Sequence, residues 1–248
     1  MDTPHWTDSR TDKNILKNFK KKITAFPLKI TNLNANDSQL IGSDSLPEPR
    51  PLHADDSVRK MVLDWQLHLL EVAEELQAPP LSFAVGALPP NMTEEKAQDL
   101  LCSHIEILVE RSEALQIPLS IEFEPDHFIY SWETLKPYLQ KFESPYFGVN
   151  FDIGHAACAG EDIVSTLKEA KRYINNMHFE DIQDQQHFHL VPGNGNLPLL
   201  AILDYLEEIN YAKGLTVELY NHSHRATEAI EETTNYFAQH RPHLLNHP

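Results

Sequence analysis

From about residue 80 onward, short apolar runs alternate with longer amphipathic stretches. LSFAVG at 81–86 predicts a strand. In the following EEKAQDLLCSHIEILVERSEAL, Ala97, Leu101, Ile105 and Leu108 recur on one helical face, and Thr93 is placed to cap that helix. The rhythm then repeats. IPLSIEFEP (117–125) precedes a helix over 132–142, YFGVNFDIGH (146–155) precedes one over 162–173, and INNMHFEDI (174–182) leads through a Pro/Gly-rich loop to one over 199–209. GLTVELY (214–220) and a helix over 226–239 close the series. Strands alternating with helices of this length predict βαβ units and a parallel sheet.

The parity within the last four strands favours a barrel over an open sheet. Leu119, Ile121 and Phe123 alternate with Ser120, Glu122 and Glu124; Val149 and Phe151 with Asn150 and Asp152; Met177 and Phe179 with Asn176, His178 and Glu180; Leu215, Val217 and Leu219 with Thr216, Glu218 and Tyr220. A doubly wound sheet covered by helices on both faces reads as continuous apolar runs. Here one parity suits helices outside, and the other lines a polar interior, as at the mouth of a (β/α)₈ barrel.

The first third is less regular. A lysine-rich helix is expected over 12–23, a strand over 27–33, a polar, proline-containing loop over 34–54 and a long helix over 57–76. Six strands are visible in all, two fewer than a complete barrel. The chain therefore reads as one TIM-barrel-like domain over 1–248, irregular over 1–56 and regular over 57–240, either an open barrel or one lacking its first β-α-β segment. Two exposed sheet edges would follow, and with them a tendency to self-associate as a homo-oligomer.

Composition narrows the function classes. The balance of 20 Lys+Arg against 37 Asp+Glu gives a net charge of −17, which repels phosphate backbones and anionic lipids and argues against nucleic-acid and membrane partners. No apolar run is long enough to span a bilayer, and the polar start MDTPHWTDSRTDKN has no secretory h-region. Cys102 and Cys158 lie far apart and match no metal or redox spacing, so a reduced, cytoplasmic chain is expected.

Candidate chemistry sits at the carboxyl ends of the last four strands. Each ends in a group able to bind a divalent cation: Glu122 (or Glu124), Asp152, His178 and Glu218, all on the polar parity. Three carboxylates with an imidazole suit Mn²⁺, Mg²⁺ or Co²⁺, and Zn²⁺ less exclusively. Without a cation such carboxylates repel one another and share a desolvation cost. His155, just past Asp152, and His189, in the loop HFHLVPGNG, are candidate substrate contacts; His187 and His127 carry no separate argument. No G-x-S-x-G supports a serine triad, and GNG at 193–195 is not a dinucleotide fingerprint.

QIPLSIE, FGVNFDIGHAACAGED, NMHFEDI, HLVPGNG and GLTVELY, in that order over about residues 80–240, resemble the motifs of the xylose isomerase-like TIM-barrel superfamily. That group includes sugar-phosphate isomerases and epimerases and endonuclease IV-type enzymes; the IEFEP variant looks closest to a bacterial branch of metabolite-traffic or uncharacterised sugar isomerase-like proteins. The resemblance implies a divalent-metal-dependent isomerase or epimerase of a small sugar or polyhydroxy-carbonyl compound, working by proton transfer through an enediolate. It assigns the metal to Glu122, Asp152, His178 and Glu218, with Glu122 and Glu218 as the proton-exchanging pair; Glu124, one step nearer the mouth, is the alternative to Glu122 and otherwise a candidate substrate contact. The earlier strand ends ITNLNAN and AVGALPP lack the histidines of the endonuclease IV branch, which argues against a nuclease. The rival expectation is a non-catalytic, barrel-derived protein that binds or carries a metabolite; a metal-dependent hydrolase is a third option.

Overall fold

The structure is a computed structural model that describes residues 13–26, 29–35, 50–77 and 80–246. Six parallel strands form one sheet: β1 (Leu33–Asn34), β2 (Leu81–Phe83), β3 (Leu119–Ile121), β4 (Phe147–Asp152), β5 (Ile174–Phe179) and β8 (Gly214–Val217), in that spatial order. Two further strands, β6 (Asp181–Gln183) and β7 (Gln186–Leu190), pair antiparallel as a hairpin behind β5. The helices are α1 (Lys13–Ile23), α2 (Asp56–Leu76), α3 (Glu94–Leu115), α4 (Trp132–Phe142), α5 (Ile153–Cys158), α6 (Ile163–Ala170), α7 (Leu199–Glu208) and α8 (Ala226–His240).

The sheet curls into an incomplete TIM barrel. The apolar parity supplies its outer core: Phe83, Phe123, Phe151 and Phe179 are fully buried, with Phe123 edge-on to Phe151 at 5.4 Å and Phe179 tilted against Phe237 of α8 at 5.7 Å. Each such side chain contributes about 1.5–3 kcal/mol by burial. The polar parity faces inward and is equally dry, since Ser82, Ser120, Asn150 and Asn176 are all 0% exposed. A register shift between Val149 and Asn150 bends β4 below the site.

The expected open edges meet each other. Curling brings Thr31 Oγ1 to 3.4 Å from Thr216 Oγ1 of β8, although no backbone ladder joins β1 to β8 among the described residues. The residues of β8 are only half-buried, in contrast with the fully buried β4.

The helix starts follow local chemistry. Thr93 caps α3 by accepting from Lys96 N at 3.3 Å, Asp162 caps α6, and Ser131 and Thr134 form a capping box on α4. Two elements depart from the sequence reading. The run after Asp152 is a short helix, α5, and the stretch expected as a loop after 182 contains the hairpin β6–β7. In QDQQHFHL the only apolar alternation is Phe188 and Leu190, too short to reveal a strand by pattern, and Phe188 is exposed. Expectations for residues 1–12, 27–28 and 36–49 lie outside the described residues.

Candidate metal centre

Parallel pairing sets Asp152 of β4 opposite His178 of β5, and His178 opposite Thr216 of β8. Glu122 continues the β3 ladder by donating its N–H to Phe83 O at 2.9 Å, and Glu218 continues β8 by donating to Phe179 O at 3.2 Å. Four consecutive strands thus end at one level of the barrel. Glu122, Asp152, His178 and Glu218 present ligand atoms that all lie within 4.8 Å of one another.

The geometry converges on one nitrogen. His178 Nδ1 lies 2.9 Å from Glu122 Oε1, 2.9 Å from Glu218 Oε2 and 3.6 Å from Asp152 Oδ2. A single N–H cannot point at three carboxylates, and Asp152 Oδ2 is left buried without a hydrogen-bond partner. A divalent cation would serve all three oxygens and the ring nitrogen together, so the donor set fits one. Asn150 Nδ2 donates to Glu122 Oε2 at 3.0 Å, and His155 N donates to Asp152 Oδ1 at 2.9 Å; both contacts fix the carboxylates without occupying the facing oxygens.

Burial would raise the pKa of Glu122, but the charge and hydrogen bond of His178, aided by His155, hold it below the ordinary carboxylate value. Burial likewise opposes ionisation of Asp152, and His155 and His178 outweigh it, again lowering the pKa. The reciprocal effect appears on the imidazoles. Burial disfavours charged His178, yet Glu122, Asp152 and Glu218 carry its pKa well above the ordinary value, and the surrounding carboxylates raise His155 to about 9. Glu218 is the most open of the four, its side chain 29% exposed, so the mouth is accessible on that side.

The remaining candidates divide. His155 is buried beside the four: its Nδ1 donates to Phe123 O at 2.8 Å and stands 3.9 Å from Glu122 Oε1. Glu124 lies at the rim, against His127 Nε2 at 3.2 Å, and burial together with the charge of Glu122 raises its pKa to about 7. His189 does not join the four; it is buried against Glu180. Asn150, Glu180 and His187 are missed by the sequence reading. Each shares a strand parity with a recognised candidate — Asn150 with Asp152, Glu180 with His178, His187 with His189 — which is the signal that could have found them.

The profile for xylose isomerase-like TIM barrels matches residues 2–240. Among curated proteins, the chain is 26% identical over 178 residues to an uncharacterized protein of Methanocaldococcus jannaschii, covering 69% of this chain and 61% of that protein. It is 23% identical over 184 residues to a putative L-ribulose-5-phosphate 3-epimerase of Escherichia coli K12, covering 72% of this chain and 64% of that one. The match thus spans less than two thirds of either relative's length. Among solved structures, a D-tagatose 3-epimerase-like protein superposes with a TM-score of 0.75 at 20% identity, covering 96% of this chain and 88% of the other. The IolI protein with a bound zinc atom superposes with a TM-score of 0.74 at 18% identity, covering 90% and 80%.

Proposed function

Because the chain belongs to the xylose isomerase-like TIM-barrel family, we propose that it is a divalent-cation-dependent isomerase or epimerase of a small sugar or polyhydroxy-carbonyl compound. The observation that carries this reading is the convergence of Glu122, Asp152 and Glu218 on His178 Nδ1 at the open end of the barrel. Likeness to a putative ribulose-phosphate epimerase and to a tagatose-epimerase-like fold supports the substrate class, and a zinc-containing structural neighbour supports the cation.

Glu122, Asp152, His178 and Glu218 would hold the cation, which supplies an electrophile for the substrate carbonyl. Glu122 and Glu218 are the proton-exchanging pair. They come from the ends of β3 and β8, with β4 and β5 between them, so their carboxylates approach the centre from opposite sides. One removes the proton from the carbon beside the carbonyl, and the other returns a proton to it. The Asn150 amide keeps Glu122 aimed inward. Glu124, at the rim beside His127, and His155, beside the centre, would bind substrate hydroxyls.

The test is solvent exchange. Cation-loaded protein is incubated with a panel of ketoses and ketose phosphates in D₂O and followed by proton NMR. Loss of the signal at the carbon beside the carbonyl, with at least one sugar, is expected. Absence of exchange across the panel with the cation bound would instead favour a metabolite-binding protein without turnover.

A further inference from the structure

We propose that the outer wall of the barrel carries a second small-molecule site, a cleft between α3 and α4 that binds an organic acid, one carboxylate on an apolar body. It stands independently of the isomerase reading. The cleft has a volume of about 800 Å³, within the usual range for small-molecule sites. Gln98 and Cys102, one turn apart on α3, form one side, and Thr134, Pro137, Tyr138 and Lys141, along one stripe of α4, form the other. The stretch 126–130, which leaves β3 and enters α4, closes one end.

Three hydrogen-bond donors meet at the other end. Lys141 Nζ donates to Cys102 Sγ at 3.1 Å, and the charge of Cys102 also reaches the Tyr138 phenol. Sulfur is a weak acceptor. Among the described residues no oxygen accepts from the Lys141 ammonium or the Tyr138 hydroxyl, and Asp99 and Glu106 of α3 act on Lys141 only through space. Tyr138 is 9% exposed, and burial, aided by Cys102, pushes its pKa up to about 12, so the phenol stays neutral and keeps a proton to donate. A buried donor without an acceptor is costly. An ammonium, a phenol and a thiol together lack an anionic oxygen, and a carboxylate brings two.

The rest of the cleft selects the body of the ligand. Leu88, Phe128, Ile129 and Pro137 supply an apolar wall, and Pro137, inside α4, has no N–H to offer a polar group. An inorganic anion would leave that wall in water, whereas a hydrocarbon or aromatic body covers it. Glu94 opens α3 eight residues before Cys102, about 12 Å along the helix, and Asp126 lies in the loop before α4. Both line the end away from Lys141 and repel a second carboxylate, so a mono-acid fits better than a diacid. The loop touches the barrel mouth through His127, 3.2 Å from Glu124, but the three donors lie at the far end, in the helical layer outside β3 and β4.

The experiment is a titration of cation-loaded protein with octanoate and 3-phenylpropionate, followed by saturation-transfer NMR and calorimetry. The controls are 1-octanol and 3-phenylpropan-1-ol, which keep the body without the charge, and inorganic phosphate, which keeps the charge without the body. At least one acid should bind saturably and more tightly than its alcohol or phosphate by about tenfold. Bound acid should slow alkylation of Cys102 by iodoacetamide, read by peptide mass spectrometry. Lys141→Gln and Tyr138→Phe should each weaken binding by about tenfold. Melting temperatures show whether each variant is folded; Lys141→Gln, at an exposed position, stands alone if Tyr138→Phe is not. No saturable binding of either acid, alcohols that bind equally well, or undiminished binding in folded Lys141→Gln overturns the proposal. So does binding that survives Lys141→Gln and is lost in His178→Ala, which would put the acid on the strand-end cation.

Discussion

The two polar clusters at the mouth are built in opposite ways. The strand-end cluster takes one residue from each of four adjacent parallel strands, and ladder register alone aligns Glu122, Asp152, His178 and Glu218. The hairpin cluster takes Glu180, His187 and His189 from ten residues of continuous chain, and a local reversal aligns them. The first is as rigid as the sheet beneath it. The second depends on the loop that holds the hairpin, and so on Asp181. Both share one symptom, buried ligand atoms lacking hydrogen bonds, whereas the equally buried His104 pairs cleanly with Gln66 Oε1 at 2.6 Å.

The strongest test of that contrast removes a strand-end ligand. Asp152→Ala or His178→Ala should weaken cation binding at the strand ends by more than about a hundredfold and abolish solvent exchange. Calorimetric titration of each variant checks this, and undiminished binding in a folded variant would contradict it. Next in size is Asp181→Ala. Stranding four backbone N–H groups, those of Ile182, Gly193, Gly195 and Leu197 that its carboxylate binds, should cost roughly 2–4 kcal/mol in chemical denaturation without changing Mn²⁺ affinity at the strand ends.

A pH experiment addresses the self-satisfied pair. Burial lowers the pKa of His104 from the ordinary 6.5 to about 4, so the fold prefers its neutral form. A depressed histidine contributes stability that is complete above the unfolded value and is lost as pH falls toward the folded one. About 2 kcal/mol should therefore disappear between pH 7 and pH 5, measured by denaturant unfolding, and His104→Leu/Gln66→Leu should lose less over the same interval. The smallest effect belongs to Gly154→Ala, which displaces the Glu180 carboxylate. Stability in denaturant unfolding should fall by about 1 kcal/mol, with Mn²⁺ binding at the strand ends unchanged.

The same construction explains what could be read from the sequence. Period-two alternation marks a strand with one face inward, and a barrel brings the ends of its parallel strands together, so four inward-facing residues near strand ends suffice to predict a cluster. Glu122 over Glu124 is decided by depth: Glu122 reaches the centre, and Glu124 turns to His127 at the rim. The hairpin escaped because the apolar side of β7 is only Phe188 and Leu190, too short a run to show period two. Helix α5 escaped because IGHAAC is too short to show helical periodicity. Asp152 ends the strand and also caps that helix through His155 N, so one residue closes an element and opens the next.

Anomalous diffraction from crystals soaked separately in Mn²⁺ and Zn²⁺ tests the central claim most directly. A manganese peak bounded by Glu122, Asp152, His178 and Glu218 is predicted. No peak among those four side chains at saturating Mn²⁺ or Zn²⁺ would contradict it.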